Sequence, residues 1–98
     1  VQKYIDISAQ NNLLLAAICA APSVLGHKNL LKGKKATAFP GFENDLEGAI
    51  AEGDFVVRDG NFITAKGAGV ATEFGLAIVS YLAGDEKSVQ IKSTIQSR

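Results

Sequence analysis

The pattern of apolar and polar residues predicts helices and strands in turn along the chain. Residues 1–10 follow helical spacing, which predicts an amphipathic helix ended by Asn11-Asn12. Residues 13–18 are a continuous apolar run, which favours a strand buried on both faces, as in a parallel sheet, although a helix also fits the run. A short helix is predicted to begin at Pro22, with Gly26 as a candidate for its end.

The middle of the chain carries turn signals that separate short predicted elements. Residues 34–38 suit a short strand stopped by Pro40-Gly41, and residues 43–52 have the apolar spacing of a short helix. Residues 55–58 and 62–65 are rich in strand-forming residues and flank an Asp-Gly-Asn turn. A β-hairpin is therefore the leading interpretation of this segment.

The last third of the chain is predicted to be mainly helical. A Gly-Ala-Gly loop at residues 67–69 precedes a helix that Gly84 ends. Residues 85–96 predict a final helix that docks on the rest of the fold and frays at its end. Because predicted strands alternate with predicted helices, the fold class is α/β.

Composition and charge limit the classes of function. The 98 residues are 47% hydrophobic and 20% charged, which suits one small globular core. Ten basic and ten acidic residues cancel, which argues against a dedicated nucleic-acid or membrane-surface binder. With one cysteine and one histidine, the sequence predicts no metal site and no cofactor. A lone cysteine in a chain without a signal-peptide pattern favours the cytoplasm.

The most informative stretch is residues 13–22, in which the apolar run leads directly to Cys19 and then into a Pro-initiated helix. This order is typical of a nucleophile elbow, whose sharp turn requires small residues two before and two after the nucleophile. Those residues here are Ala17 and Ala21. Free N–H groups and the dipole at a helix start favour the thiolate over the thiol, and the Ala20 amide is placed to donate to an oxyanion.

Less specific interpretations stand beside this one. The spacing fits an inert, buried cysteine equally well, because free cysteine is among the most buried residue types. About 12 Å of helix would separate His27 from Cys19, which favours a surface histidine over a general base. Glu73 suits the first turn of a helix better than a catalytic role. Gly67 and Gly69 lack the third glycine of a dinucleotide-binding loop, so a tight turn is the better interpretation.

Residues 17–22, Ala-Ile-Cys-Ala-Ala-Pro, resemble the nucleophile signature of the ThiJ/PfpI superfamily. The similarity is to the branch with Parkinsonism-associated, deglycase and chaperone-like members. Three further segments are similar to the family in the family's own order. Residues 34–40 match its next strand, residues 57–64 its hairpin, and residues 66–78 the loop and helix that follow. Together these segments cover most of the chain.

The resemblance implies a fold and a site. The fold is a flavodoxin-like α/β sandwich, similar to class I glutamine amidotransferase domains, of which residues 1–98 are the C-terminal half. Cys19 is then the elbow nucleophile, the Ala20 amide a catalytic donor, and Phe39, Gly67 and Ala68 the wall of the pocket. The helical pattern starts at residue 1 without a capping residue, which predicts a fragment: a cleaved product, or half of a protein whose N-terminal half is a separate chain. The expected partner is that N-terminal half.

The sequence departs from the family pattern at two places. Some members carry a histidine where Phe39 stands, so a Cys-His dyad is unsupported. Many members carry Gly-Pro-Gly where this chain has Ala68 between two glycines. The glutamate that hydrogen-bonds the cysteine in the family belongs to the N-terminal half, as does a second oxyanion donor. The chain alone is therefore not expected to form a complete site.

The resemblance also implies a function. We expect a cysteine-dependent glyoxalase- or deglycase-like hydrolase that acts on reactive carbonyls such as methylglyoxal or its adducts. The alternatives are a redox-stress sensor or chaperone with an oxidisable Cys19, and an intracellular cysteine peptidase-like protein, which the missing histidine disfavours. The expected partners are the N-terminal half, a second copy of the assembled domain in a homodimer, and the small carbonyl substrate. Neither nucleic acid nor membrane is expected.

Overall fold

Helices and strands follow one another in the α/β order that the sequence predicts. The computed structural model describes residues 2–97. Its helices are α1 (Gln2–Gln10), α2 (Pro22–His27), α3 (Ala71–Ala83) and α4 (Asp85–Thr94). Its strands are β1 (Leu15–Ile18), β2 (Lys35–Ala36), β3 (Ile50–Ala51), β4 (Val56–Asp59) and β5 (Phe62–Ala65). Short 3-10 turns occupy Glu43–Asp45 and Ala68–Val70.

Strand β5 is the centre of a three-stranded sheet with the order β1-β5-β4. It runs parallel to β1, with Ile18 opposite Ala65, and antiparallel to β4, with Val56 also opposite Ala65. All four residues of β5 are buried, because β5 has a strand on each side and α3 packs against it. The two short strands β2 and β3 form a separate parallel pair.

The buried core lies where α2, β1, β2 and β5 meet the turn at residues 43–46. Its members are apolar and have little or no exposed surface: Ala17, Leu25, Leu31, Ala36, Ala38, Leu46 and Phe62. Burying side chains of this kind supplies most of the stabilisation of a small domain. The turn that carries Cys19 is therefore anchored at the best-packed part of the described chain.

The predicted hairpin and the two C-terminal helices are confirmed. Asp59 pairs with Phe62 across a two-residue loop, in which Gly60 adopts a φ of 60°. That left-handed value is easy for glycine, which explains the Asp-Gly-Asn signal. Helix α3 ends at Gly84, whose φ of 95° stops the helix as predicted. Within residues 2–97, none of the helices has the length and apolar character needed to cross a membrane.

The predicted helix at residues 43–52 is wrong. Only Glu43–Asp45 forms a helical turn, and Gly48 then adopts a φ of 75° that no right-handed helix contains. The Ile50 N–H donates to the Lys34 carbonyl at 2.8 Å, so the segment continues as β3 beside β2. Pairing with β2 gives the backbone N–H and C=O groups the hydrogen bonds that a helix would have given them. The spacing of apolar residues does not reveal this pairing.

Two details around Cys19 also differ from the predictions. Within the run at residues 13–18, Leu15–Ile18 forms a strand, but Ala16 is exposed, so the strand is not buried on both faces. Gly26 does not end α2: it is buried inside the helix, and a Cβ there would lie 2.1 Å from the Asp45 carbonyl oxygen. The helix ends instead beside Asn29, whose φ is 61°.

Candidate functional site

Cys19 stands at the turn between β1 and α2 in a left-handed backbone conformation, with a φ of 67°. A residue with a side chain adopts this conformation only at a cost of about 1–3 kcal/mol, and such positions concentrate at functional sites. A strained strand-to-helix turn with this geometry is the structural mark of a nucleophile elbow. The thiol is free and partly exposed, which argues against the interpretation of Cys19 as an inert, sealed core residue.

Two backbone hydrogen bonds hold Cys19 in this conformation. Its N–H donates to the Ala65 carbonyl at 2.9 Å, and its carbonyl accepts from the Phe39 N–H at 2.7 Å. The residue is thus tied to the end of β5 and to the segment that follows β2. The left-handed conformation persists because the surrounding structure fixes it on both sides.

The start of α2 completes the turn. Pro22 is buried at the first helical position, where its missing N–H costs nothing. The Ser23 hydroxyl donates to the Ala20 carbonyl at 2.6 Å. Within residues 2–97, the Ala20 N–H donates to no protein acceptor. An amide next to the nucleophile that has no internal partner is available to an oxyanion formed on a substrate.

An open cavity of about 420 Å³ lies beside this turn. Phe39, Gly67 and Ala68, the predicted pocket-wall residues, all line it. The other lining residues are Pro40, Phe55, Lys66, Gly69 and Val70. Cys19 and Ala20 are not part of the lining, and Cys19 connects to the cavity through its hydrogen bonds to Phe39 and to Ala65, the neighbour of Lys66.

Phe55 and Lys66 are cavity residues that the sequence analysis did not single out. The hairpin register brings them together: Val56 pairs with Ala65, so Phe55 and Lys66 continue the same ladder, and the Lys66 N–H donates to the Phe55 carbonyl at 2.9 Å. The Lys66 ammonium lies 5.5 Å from the centre of the Phe55 ring, a cation–π contact. The sequence analysis left three residues, 59–61, between the two strands, a register that would pair Phe55 with Ala65; the observed two-residue loop shifts the register by one and brings Phe55 beside Lys66.

Glu43 places a negative charge near the cavity. The pKa of its carboxyl lies below the ordinary value of 4.5, because its own backbone N–H and that of Gly41 donate hydrogen bonds to the carboxylate. The Gly41 hydrogen bond measures 2.8 Å. Desolvation opposes this lowering of the pKa, and the positive charge of Lys66 makes the smallest contribution to it.

The other chemically interesting residues lie apart from Cys19. His27 is more than half exposed, and its Nε2 lies 3.2 Å from the Asp45 carboxylate, in keeping with the predicted surface histidine. Glu73 is exposed in the first turn of α3, as expected for a residue that complements the helix dipole. Among residues 2–97, no three side chains of the His, Cys, Asp or Glu type are grouped closely enough to hold a metal ion.

Known proteins identify the family. The sequence model described as the DJ-1/PfpI family matches residues 1–81 of the chain. The chain belongs to this family. The resemblance found at the cysteine turn and the flavodoxin-like α/β fold that it implied are thereby confirmed.

Individual members of the DJ-1/PfpI family match closely. Protein dj-1beta of Drosophila melanogaster is 42% identical over 80 residues, which cover 80% of this chain and 43% of that protein. The isonitrile hydratase of Pseudomonas putida is 35% identical over 83 residues, 83% of this chain and 36% of that enzyme. The structure of oxidized Toxoplasma gondii DJ-1 superposes with a TM-score of 0.88 at 29% identity, covering 95% of this chain and 51% of that one. The chain therefore spans about half or less of the length of these DJ-1/PfpI relatives.

Proposed function

We propose that the assembled protein is a cysteine-dependent glyoxalase- or deglycase-like hydrolase that acts on methylglyoxal or its adducts. The observation that carries the proposal is the left-handed Cys19 at the start of α2, next to the free Ala20 N–H and beside an open cavity. A strained nucleophile, an oxyanion donor and space for a substrate are the parts that attack on a carbonyl requires.

The proposed reaction conserves atoms and electrons. The Cys19 sulfur attacks the aldehyde carbon of methylglyoxal, which forms a C–S bond and an oxyanion that the Ala20 N–H stabilises. The hydrogen on that carbon then moves with its electron pair to the neighbouring ketone carbon, so that the first carbon is oxidised and the second reduced. The alkoxide formed on the second carbon takes a proton from solvent. The resulting lactoyl thioester is hydrolysed by water, which breaks the C–S bond and releases lactate and the thiolate. The sum is methylglyoxal plus water to lactate, without an external oxidant.

A proton-transfer group has to come from elsewhere in the assembly. Among residues 2–97, no histidine or carboxylate hydrogen-bonds the Cys19 sulfur, and His27 is paired with Asp45 on the surface. We propose that an N-terminal half supplied as a separate chain brings a glutamate to the sulfur and pairs with the open edge of β1, where Ala16 is exposed. A homodimer of the assembled domain is part of the same proposal, and a reduced Cys19 is consistent with the predicted cytoplasmic location.

The test measures lactate production from methylglyoxal by the assembled protein and by its Cys19→Ser and Cys19→Ala variants. We expect both variants to lose at least about 100-fold in kcat/KM, because removing the nucleophile removes the covalent route. Thermal unfolding of each variant checks that the fold is retained. The proposal is wrong if both variants convert methylglyoxal at the rate of the unaltered protein.

A second candidate is a redox-stress sensor or chaperone that uses the same sulfur. Cys19 is the only cysteine and is partly exposed, and the matched Toxoplasma gondii DJ-1 structure is of an oxidized form. Mild peroxide would then add two oxygens to Cys19 at a stoichiometric level, which intact-mass spectrometry detects. Sensing predicts that this oxidation changes the binding of a partner, whereas catalysis predicts turnover by the reduced thiol and loss of turnover on oxidation.

A further inference from the structure

The cavity beside Cys19 is lined almost entirely by apolar groups. Phe39, Phe55 and Val70 supply apolar side chains, and residues 67–69 supply small residues that leave room between them. Its volume of about 420 Å³ falls in the range of about 300–1,000 Å³ that is usual for small-molecule sites. A methyl group would leave most of this space unfilled, whereas a phenyl ring would contact apolar surface on several sides.

The position of the cavity relative to Cys19 is fixed by backbone hydrogen bonds. One wall begins at Phe39, whose N–H donates to the Cys19 carbonyl at 2.7 Å. A second lining residue, Lys66, directly follows Ala65, whose carbonyl accepts from the Cys19 N–H at 2.9 Å. The cavity lining therefore includes Phe39, a direct backbone partner of Cys19, and Lys66, the residue that follows its other backbone partner.

The charges at the cavity do not select for an anionic substituent. The Lys66 ammonium is held over the Phe55 ring at 5.5 Å, and the Glu43 carboxylate interacts with the same cation. Because the rest of the lining is apolar, apolar contact is the main selective force. Each additional buried carbon then favours the larger substrate, since burial of apolar surface is favourable in proportion to its area.

Resting on the proposed function, we propose that the preferred substrates are α-oxoaldehydes with an aromatic or bulky apolar substituent, which this cavity binds. The chemistry is that of the proposed reaction: the C–S bond forms at the aldehyde carbon, hydrogen moves to the ketone carbon, and water releases the acid. With phenylglyoxal as the probe, the balance is phenylglyoxal plus water to mandelate. Methylglyoxal leaves the cavity largely empty and is the poorer substrate.

The first measurement compares kcat/KM for phenylglyoxal and methylglyoxal with the assembled protein. We expect phenylglyoxal to be favoured by about tenfold or more, the discrimination that a few buried carbons supply. Mandelate and lactate are quantified as products, with the Cys19→Ser protein as the blank, because phenylglyoxal also modifies arginine side chains.

Two variants alter the cavity in opposite ways. Phe55→Ala removes a ring that is 66% exposed, so the fold does not depend on it. Gly67→Ala adds a methyl group 3.5 Å from the Phe39 ring, an ordinary contact distance, at a residue whose extended backbone suits alanine. We expect both to lower the phenylglyoxal-to-methylglyoxal ratio by about fivefold or more. Ile50→Ala, at an exposed residue outside the cavity, is the matched control and leaves the ratio unchanged.

Product binding separates a failure of this inference from a failure of the proposed function. Calorimetry on the Cys19→Ser protein is expected to give a Kd for mandelate about tenfold below that for lactate, and Phe55→Ala is expected to abolish the difference. Turnover of both substrates at similar kcat/KM, insensitive to Phe55→Ala, would overturn the substrate inference and leave the proposed function standing. Tight, Phe55-dependent mandelate binding without turnover of either substrate would overturn the function and retain an aromatic-binding cavity. Equal binding of mandelate and lactate would overturn the inference whatever the turnover.

Discussion

The helix that follows the cysteine turn and the two C-terminal helices differ in how many of their residues are buried. Helix α2 has only 6 residues, yet it buries Pro22, Leu25 and Gly26. Helix α3 has 13 residues and α4 has 10, and neither contains a fully buried residue. The shortest of the four described helices is thus the most deeply packed, while the longer pair leaves Leu82 and Val89 exposed.

This difference shows where the packing energy of the described chain is concentrated. Full burial of one side chain such as Leu25 contributes about 1.5–3 kcal/mol, which is comparable to the cost of about 1–3 kcal/mol for the left-handed Cys19. The packing of α2 therefore offsets the strain that the turn stores. Helix α4 is held mainly by α3, including the hydrogen bond from the Ser88 hydroxyl to the Leu76 carbonyl at 2.9 Å, whereas α3 also packs against β1, β4 and β5.

The largest expected effect comes from truncating one leucine in each region. Leu25 is 4% exposed, so Leu25→Ala is expected to lower the free energy of unfolding by about 2–5 kcal/mol through lost burial and a new cavity. Leu82 is 69% exposed, so Leu82→Ala is expected to change the free energy of unfolding by less than about 0.5 kcal/mol. Urea unfolding midpoints with an unchanged m-value provide the comparison. A similar loss of unfolding free energy for both variants would show that Leu82 is covered in the assembled protein. The difference in packing between α2 and the C-terminal helices would then hold only for this chain alone.

A smaller effect, with opposite signs in the two regions, is expected from glycine-to-alanine changes inside helices. Gly75→Ala in α3 is expected to stabilise by about 0.5–1 kcal/mol, because nothing lies within 4 Å of the new Cβ and alanine is the better helix former. Gly26→Ala in α2 is expected to destabilise by about 1–3 kcal/mol, because the Cβ would lie 2.1 Å from the Asp45 carbonyl oxygen and 2.8 Å from the Leu46 Cα. Thermal unfolding of both variants tests the signs, and a stable Gly26→Ala protein would contradict the close approach of α2 to residues 45–46.

The smallest expected effect concerns Glu43, on the segment that packs beside α2. Its folded-state pKa is lowered, so its carboxylate contributes stability above pH 4.5, the ordinary value, and that contribution is lost as the pH falls through the folded-state pKa. Glu43→Gln keeps an oxygen acceptor for the Gly41 N–H but removes the charge. Urea unfolding midpoints are measured well above and well below pH 4.5. On going from the higher to the lower pH, the midpoint is expected to fall less for Glu43→Gln than for the unaltered protein. Identical pH dependence of the two proteins would rule out a role for this carboxylate.

Much of the fold was predictable because its signals are local. The Asp-Gly-Asn loop between β-rich runs predicted the hairpin, and Gly84 predicted the end of α3. The small residues around Cys19 predicted the sharp turn that its φ of 67° realises. The helix predicted at residues 43–52 failed because its backbone pairs with β2, a partner that apolar spacing does not report.

The sequence by itself determined the α/β order and the strand-to-helix turn at Cys19, because each depends on residues close together along the chain. The family resemblance, and not local sequence, implied Phe39, Gly67 and Ala68 as pocket residues. Only the tertiary structure decided that Phe55 and Lys66 complete the cavity, that Gly26 is the contact point of α2, and that one face of β1 is exposed. Those features depend on which distant segments pack together. The free energy of that packing depends on which side chains are neighbours in space, and the local sequence does not report those neighbours.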